Sequence, residues 1–125
     1  MAGATETPQT ASPIEVSVNA LRSASAYFPD DRRPYSRMRQ AVIDGNPALQ
    51  EREAHKLIGL GRALAGALRD RGVDDLTADV AAQLSVMAFG IAFARWIAPD
   101  ERRSFDDVAD EVMRHVAAVT RQLEP

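Results

Sequence analysis

A chain of 125 residues and 13.6 kDa has the length of one domain, and its 46% hydrophobic residues supply enough apolar surface for a core. Acidic side chains number 18 against 15 basic ones, a net charge of −3 that argues against a basic nucleic-acid-binding module. The absence of cysteine excludes disulfide scaffolds, thiolate zinc sites and cysteine nucleophiles together. The longest uncharged stretch, residues 80–94, is shorter than the roughly 20 apolar residues of a membrane span. Residues 1–13 hold neither a basic segment nor an apolar run, so no signal peptide is expected and the expected location is the cytoplasm.

Residues 1–11 are small and polar and read as a flexible lead to a helical domain over residues 12–125. A first helix starts with Ser12 as cap, Pro13 at the first helical position and Glu15 three residues after the cap. It is expected to reach about residue 28, with Ile14, Val18 and Leu21 facing inward. Pro29, Asp30 and Asp31 interrupt the pattern. A short second helix then runs from residue 32 or 34 to 44, its inward stripe expected at Met38, Ala41 and Val42, and Gly45 ends it.

Asn46 and Pro47 open a long third helix that reaches residue 71, with Gly72 as its left-handed terminator. Its first third is charged, whereas Leu57, Leu60, Leu64 and Leu68 share one face of the rest, so the second half is the buried half. As the longest helix it is the expected centre of the bundle. Asp74 or Asp75 caps a fourth helix that ends before Pro99. This one is apolar nearly all round: Leu76, Val80, Leu84, Met87 and Ile91 lie on one side and Phe89, Phe93 and Trp96 on another, with alanines between. Ser104 and Asp107 start a fifth helix, with Phe105, Val108, Val112, Val116, Val119 and Leu123 at helical spacing. No segment alternates like a strand, so the expected fold is all-α, a five-helix bundle.

A helix apolar on all sides needs cover on more than one, and a symmetric partner is the simplest cover. The expected dimer face comprises Leu84, Ala88, Ile91, Val108, Val112, Met113 and Val116, with the last two helices of each chain forming a four-helix interface. The competing reading makes the fourth helix the core helix of a monomer. Gly59, Gly61, Gly66 and Gly90 lie inside helices, which calls for close helix packing or for room beside them for a ligand. A ligand pocket among the first four helices would draw on Tyr27, Phe28, Met38, His55, Ile58, Met87 and Phe89.

The four arginines at 32, 33, 37 and 39 suit a phosphate, although a solvated surface is the simpler reading. Glu51 with His55 and Glu111 with His115 have metal-compatible spacing but no further ligands, so no metal and no cofactor is expected. There is no phosphate loop, no nucleophile beside an imidazole and no recognisable pair of catalytic acids, so an enzyme is not expected.

The run from Arg37 through Asn46, Pro47 and Leu49 to Arg52 and Glu53 resembles the C-terminal domain of actinobacterial TetR-family transcriptional regulators. So does the series Leu68 to Val73, then Leu76, Thr77 and Ala78, then Ala94 to Ile97; the type is that of the mycofactocin-system regulator. The likeness covers about residues 13–123. It implies an all-α domain that dimerises through its last two helices and binds a small apolar or acyl-type effector, reaching DNA through a helix-turn-helix head. Nothing in residues 1–12 resembles that head, so the chain reads as a regulatory domain without its own DNA reader. The alternative from a different class is a stand-alone helical adaptor that grips a partner's helix and needs no cavity.

Overall fold

Among the described residues, four of the five α-helices start where a side-chain oxygen closes the first turn. The computed structural model describes residues 12–123, so the lead expected over residues 1–11 lies outside them. Helix α1 (Pro13–Ala24) begins at Ser12, whose Oγ accepts the N–H of Glu15. Helix α2 (Arg33–Asp44) has no side-chain cap. Helix α3 (Pro47–Asp70) begins at Asn46, whose side-chain oxygen accepts from Ala48 and Leu49 at 3.0 and 3.2 Å. Asp74 caps α4 (Asp75–Trp96) through the N–H of Thr77, which also holds the Asp74 carboxyl below its ordinary range. Ser104 caps α5 (Phe105–Arg121) through Asp107. Each cap satisfies a donor that the helix itself leaves orphaned.

The α3 terminus is a left-handed one. Gly72 has φ of +91°, its N–H donates to the Arg69 carbonyl, and the N–H of Val73 reaches back to Leu68. A side chain at Gly72 would be strained whatever the space around it. α1 stops sooner than its sequence pattern predicts: after Ala24 the chain tightens into a 3₁₀ turn over Ser25–Tyr27, and a second such turn, Asp30–Arg32, leads into α2.

The central helix is α4 rather than the longer α3. It packs against α1, α3 and α5, whereas the first half of α3 lies open to solvent. Two apolar clusters meet along it. One joins Val16 of α1, Leu64, Ala65 and Leu68 of α3, and Ala78, Ala81 and Ala82 of α4. The other is aromatic, with Phe28 in contact with Phe89, Phe93, Trp96 and Phe105, and these linked among themselves, at centroid distances of 5.1–6.3 Å. Offset and edge-on ring pairs of this kind add to what burial alone contributes. Gly61 lets α3 approach α4 closely, because a Cβ there would meet the Gln83 side chain at 3.1 Å.

Two helices are rotated relative to their sequence patterns. α1 buries Val16, Ser17, Ala20 and Leu21 and leaves Ile14 exposed. α2 is turned over: Met38 and Val42, expected inside, are 64% and 58% exposed, and Arg33, Ser36 and Ile43 are buried in their place. The reason is polar, since the α2 arginines find acceptors that outweigh the small apolar gain from burying two side chains.

Candidate functional site

α4 presents small residues and, toward its end, the aromatic Phe89, Phe93 and Trp96 to the rest of the chain, and turns large aliphatic residues to solvent. Ala78, Ala81, Ala82, Ser85, Ala88 and Ala92 are buried, while Leu76, Val80, Met87 and Ile91 on the opposite side are exposed, Leu76 by 74%. By length and composition this helix is apolar enough to cross a membrane, with a mean hydropathy of 1.6, and a third of that stretch is buried in the fold. It is thus longer as an apolar element than its uncharged stretch suggests.

The bare side of α4 continues onto α5 as a groove of about 720 Å³. Leu84, Met87 and Ile91 form one wall and Val112, Val116 and Val119 the other; Gln83, Arg95, Glu111, His115 and Thr120 supply its polar rim. Beyond the groove Leu123 is 85% exposed. A contiguous apolar surface of this kind is a candidate site for a protein partner or an apolar ligand.

Four of the residues expected at a dimer face line this groove: Leu84, Ile91, Val112 and Val116. Three do not. Ala88 and Val108 have no exposed surface and sit within the aromatic cluster, and Met113 is packed against that cluster from the side. Ala88 lies one helical residue beyond Met87, a step of about 100° around the axis, which is enough to carry it from the bare side to the packed one. Met87, expected as a pocket wall, belongs to the groove instead.

A small cleft of about 90 Å³ lies between α1, α3 and α4, in the region where the sequence places a pocket. Of its expected walls only Phe89 lines it. Its other neighbours are Ala20, Leu21, Ala24, Leu60, Leu64, Ser85 and Val86. Phe28 backs Phe89 within the aromatic cluster, with ring centroids 5.7 Å apart. Tyr27, Met38, His55 and Ile58 are exposed and line neither the cleft nor the groove. The alanine spacing in α4 was the available signal for its packed side: small residues at 78, 81, 85, 88 and 92 mark the face that neighbouring backbones approach.

A polar joint ties α2 to the α4–α5 connection. Arg33 donates to the carbonyls of Glu101, at 2.5 Å, and Arg103, and its guanidinium lies 5.0 Å from the Trp96 ring. Arg37 donates to the carbonyls of Ile97 and Ala98, both at 2.8 Å, where α4 ends. These two arginines are structural rather than a solvated patch, and the cationic groups favour the negative end of the α4 dipole. Arg39 pairs with Glu53 at 2.6 Å; burial would raise the Glu53 carboxyl, but Arg39 and Lys56 hold it below its ordinary value.

Around the same connection Arg103 bridges Glu101 and Glu111, at 2.7 Å each. Hydrogen bonds from the Arg103 side chain and backbone pull the Glu101 carboxyl down to about 2, and the Arg103 side chain also lowers Glu111. Glu111 is therefore committed to an arginine, while His115 Nδ1 lies 3.0 Å from the Glu111 carbonyl oxygen. That arrangement does not form a metal pair.

The all-α fold of the described residues accords with the comparison of sequences. The chain matches the MftR C-terminal domain, a TetR-type C-terminal domain, over residues 11–121. No curated protein matches it. With nearly the whole chain covered, and an all-α fold consistent with such a domain, this protein belongs to the MftR C-terminal domain family of TetR-type regulators.

Proposed function

We propose that the chain is the effector-binding and homodimerisation domain of a TetR-like transcriptional regulator in the cytoplasm. A second copy covers the α4–α5 groove, a small apolar or acyl-type effector enters the cleft between α1, α3 and α4, and DNA is reached only through a helix-turn-helix head. The observation that carries this reading is the bare apolar side of α4, prolonged by Val116 and Val119 of α5 and by Leu123 just past its end. Exposure on that scale in a regulator domain is offset when an identical surface meets it across a twofold axis.

The two surfaces lie on opposite sides of the same turns of α4. Ser85, Val86 and Phe89 face the cleft, while Leu84, Met87 and Ile91 line the groove. A ligand that parts α1 and α3 from α4 therefore shifts the helix that holds the partner, and differential binding to the two arrangements is what regulation requires. Nothing in this scheme calls for catalysis.

Sedimentation at micromolar concentration tests it, with twice the 13.6 kDa chain mass expected. Calorimetry against a panel of apolar and acyl ligands tests effector binding. A monomer at every concentration overturns the dimer. The smallness of the interior cleft favours a second reading, a helical adaptor whose groove holds a partner's helix. A monomer that binds no small molecule but captures an amphipathic helical peptide would select it.

A further inference from the structure

The chemistry of the cleft narrows the class of ligand, an inference that rests on the effector reading above. Its lining is apolar except for one hydroxyl. Ser85 is buried, and its Oγ donates to the Ala81 carbonyl oxygen, one turn back, at 2.8 Å. The buried Ser17 of α1 donates to the same oxygen at 3.3 Å. With its single proton committed to the backbone, the Ser85 hydroxyl keeps only acceptor capacity.

Size sets the second limit. A cavity of about 150 Å³ lined by leucine, isoleucine and phenylalanine takes up one benzene in another helical protein. At about 90 Å³ the cleft is smaller than that, so it seats a single ring only with part of the ring outside, past the half-buried Ala24, Leu60 and Val86, and it has no room for a folded chain. Phe89 forms part of the wall and presents an aromatic surface against which such a ring packs.

We infer that the cleft selects compact single-ring ligands carrying one hydrogen-bond donor, phenols above all, with Ser85 as the residue that reads the donor. An apolar ring without a donor fills the same volume but leaves the hydroxyl lone pairs unused. A ligand that brings only an acceptor places two acceptors against each other.

The test is a calorimetric titration of the whole chain with phenol, toluene and octanoate, with methyl NMR of Leu60, Leu64 and Val86 to locate binding. Phenol is expected to bind about fivefold more tightly than toluene, the usual scale of one net hydrogen bond. Both should move the same methyl signals. Ser85→Ala should erase the preference while keeping toluene binding. Ala24→Leu, at the mouth, should block both rings and serves as a second probe if Ser85→Ala alters folding.

Equal binding of phenol and toluene to the unaltered chain, or an undiminished preference in Ser85→Ala, overturns the role of Ser85. Octanoate binding without either ring overturns the compact-ring class but leaves the effector reading standing. Failure of all three probes defeats the proposed ligand class, and effector binding as such is then decided by the wider panel.

Discussion

The two sides of α4 invert the usual order of size. Alanines and a serine occupy the packed side until the aromatic residues of its last turns, whereas leucine, valine, methionine and isoleucine are left on the bare one. On the packed side small residues bring α1 and α3 close to the α4 backbone, so stability there comes from intimate contact and from the aromatic cluster further along. On the bare side the long side chains cover area without a neighbour in their own chain. A fold that needed only its own stability would bury the large residues, because burying a leucine or isoleucine side chain is worth about 1.5–3 kcal/mol. The inversion is the physical ground for assigning the bare side to a partner.

Each side can be attacked separately, and the largest effect belongs to the packed one. Ala88→Asp places a carboxylate without a partner inside the aromatic cluster, and an uncompensated buried charge costs about 3–5 kcal/mol. Against a total stability of about 5–15 kcal/mol this is a large fraction, so the melting temperature read by circular dichroism falls by about 10–30 °C, or the chain fails to fold. A variant that folds normally and merely dissociates would place Ala88 at the interface and collapse the distinction between the sides.

The bare side predicts the opposite pattern. Met87→Glu combined with Ile91→Glu keeps the helical spectrum and melting of the single chain but weakens self-association by about 100-fold or more, read by sedimentation across a concentration series. Unchanged association would move the interface elsewhere.

The smallest effect sharpens the comparison at the end of α4, beyond both sides. The Glu101 carboxyl lies at about 2 in the fold against 4.5 ordinarily, so its contribution to stability is complete above 4.5 and is lost as pH falls from there toward 2. Melting temperature should therefore fall more steeply over that window in the unaltered chain than in Glu101→Gln, with the two curves converging at the acid end. Parallel curves would mean that the Arg103 bridge contributes nothing to folding.

Helix existence and starts were legible because caps are local contests: Ser12, Asn46, Asp74 and Ser104 each satisfy nearby amides whatever the rest of the chain does. The glycine stop at residue 72 and the burial gradient along Leu57, Leu60, Leu64 and Leu68 were legible for the same reason. Facing was harder. A helix apolar all round gives its period no direction, so Ala88 and Met87, adjacent in sequence, were assigned to each other's sides. In α2 the pattern pointed Met38 inward, but no periodicity marks the carbonyls at 97, 98, 101 and 103 that draw Arg33 and Arg37 there. The cleft escaped because its walls are mostly alanine and leucine, which carry no chemical signature, and Ser85 resembles any helical serine until its hydroxyl is seen to be buried.

The joint between α2 and the α4–α5 connection has an evolutionary corollary. Its donors are two arginine side chains, but its acceptors are all main-chain oxygens, which every residue type possesses. Sequence drift at Ala98 or Arg102 leaves those oxygens where they are, whereas replacing either arginine by lysine exchanges a planar fork for a point charge unable to span two of them. Variation should accumulate on the receiving strand of this junction and be purged from the donating helix.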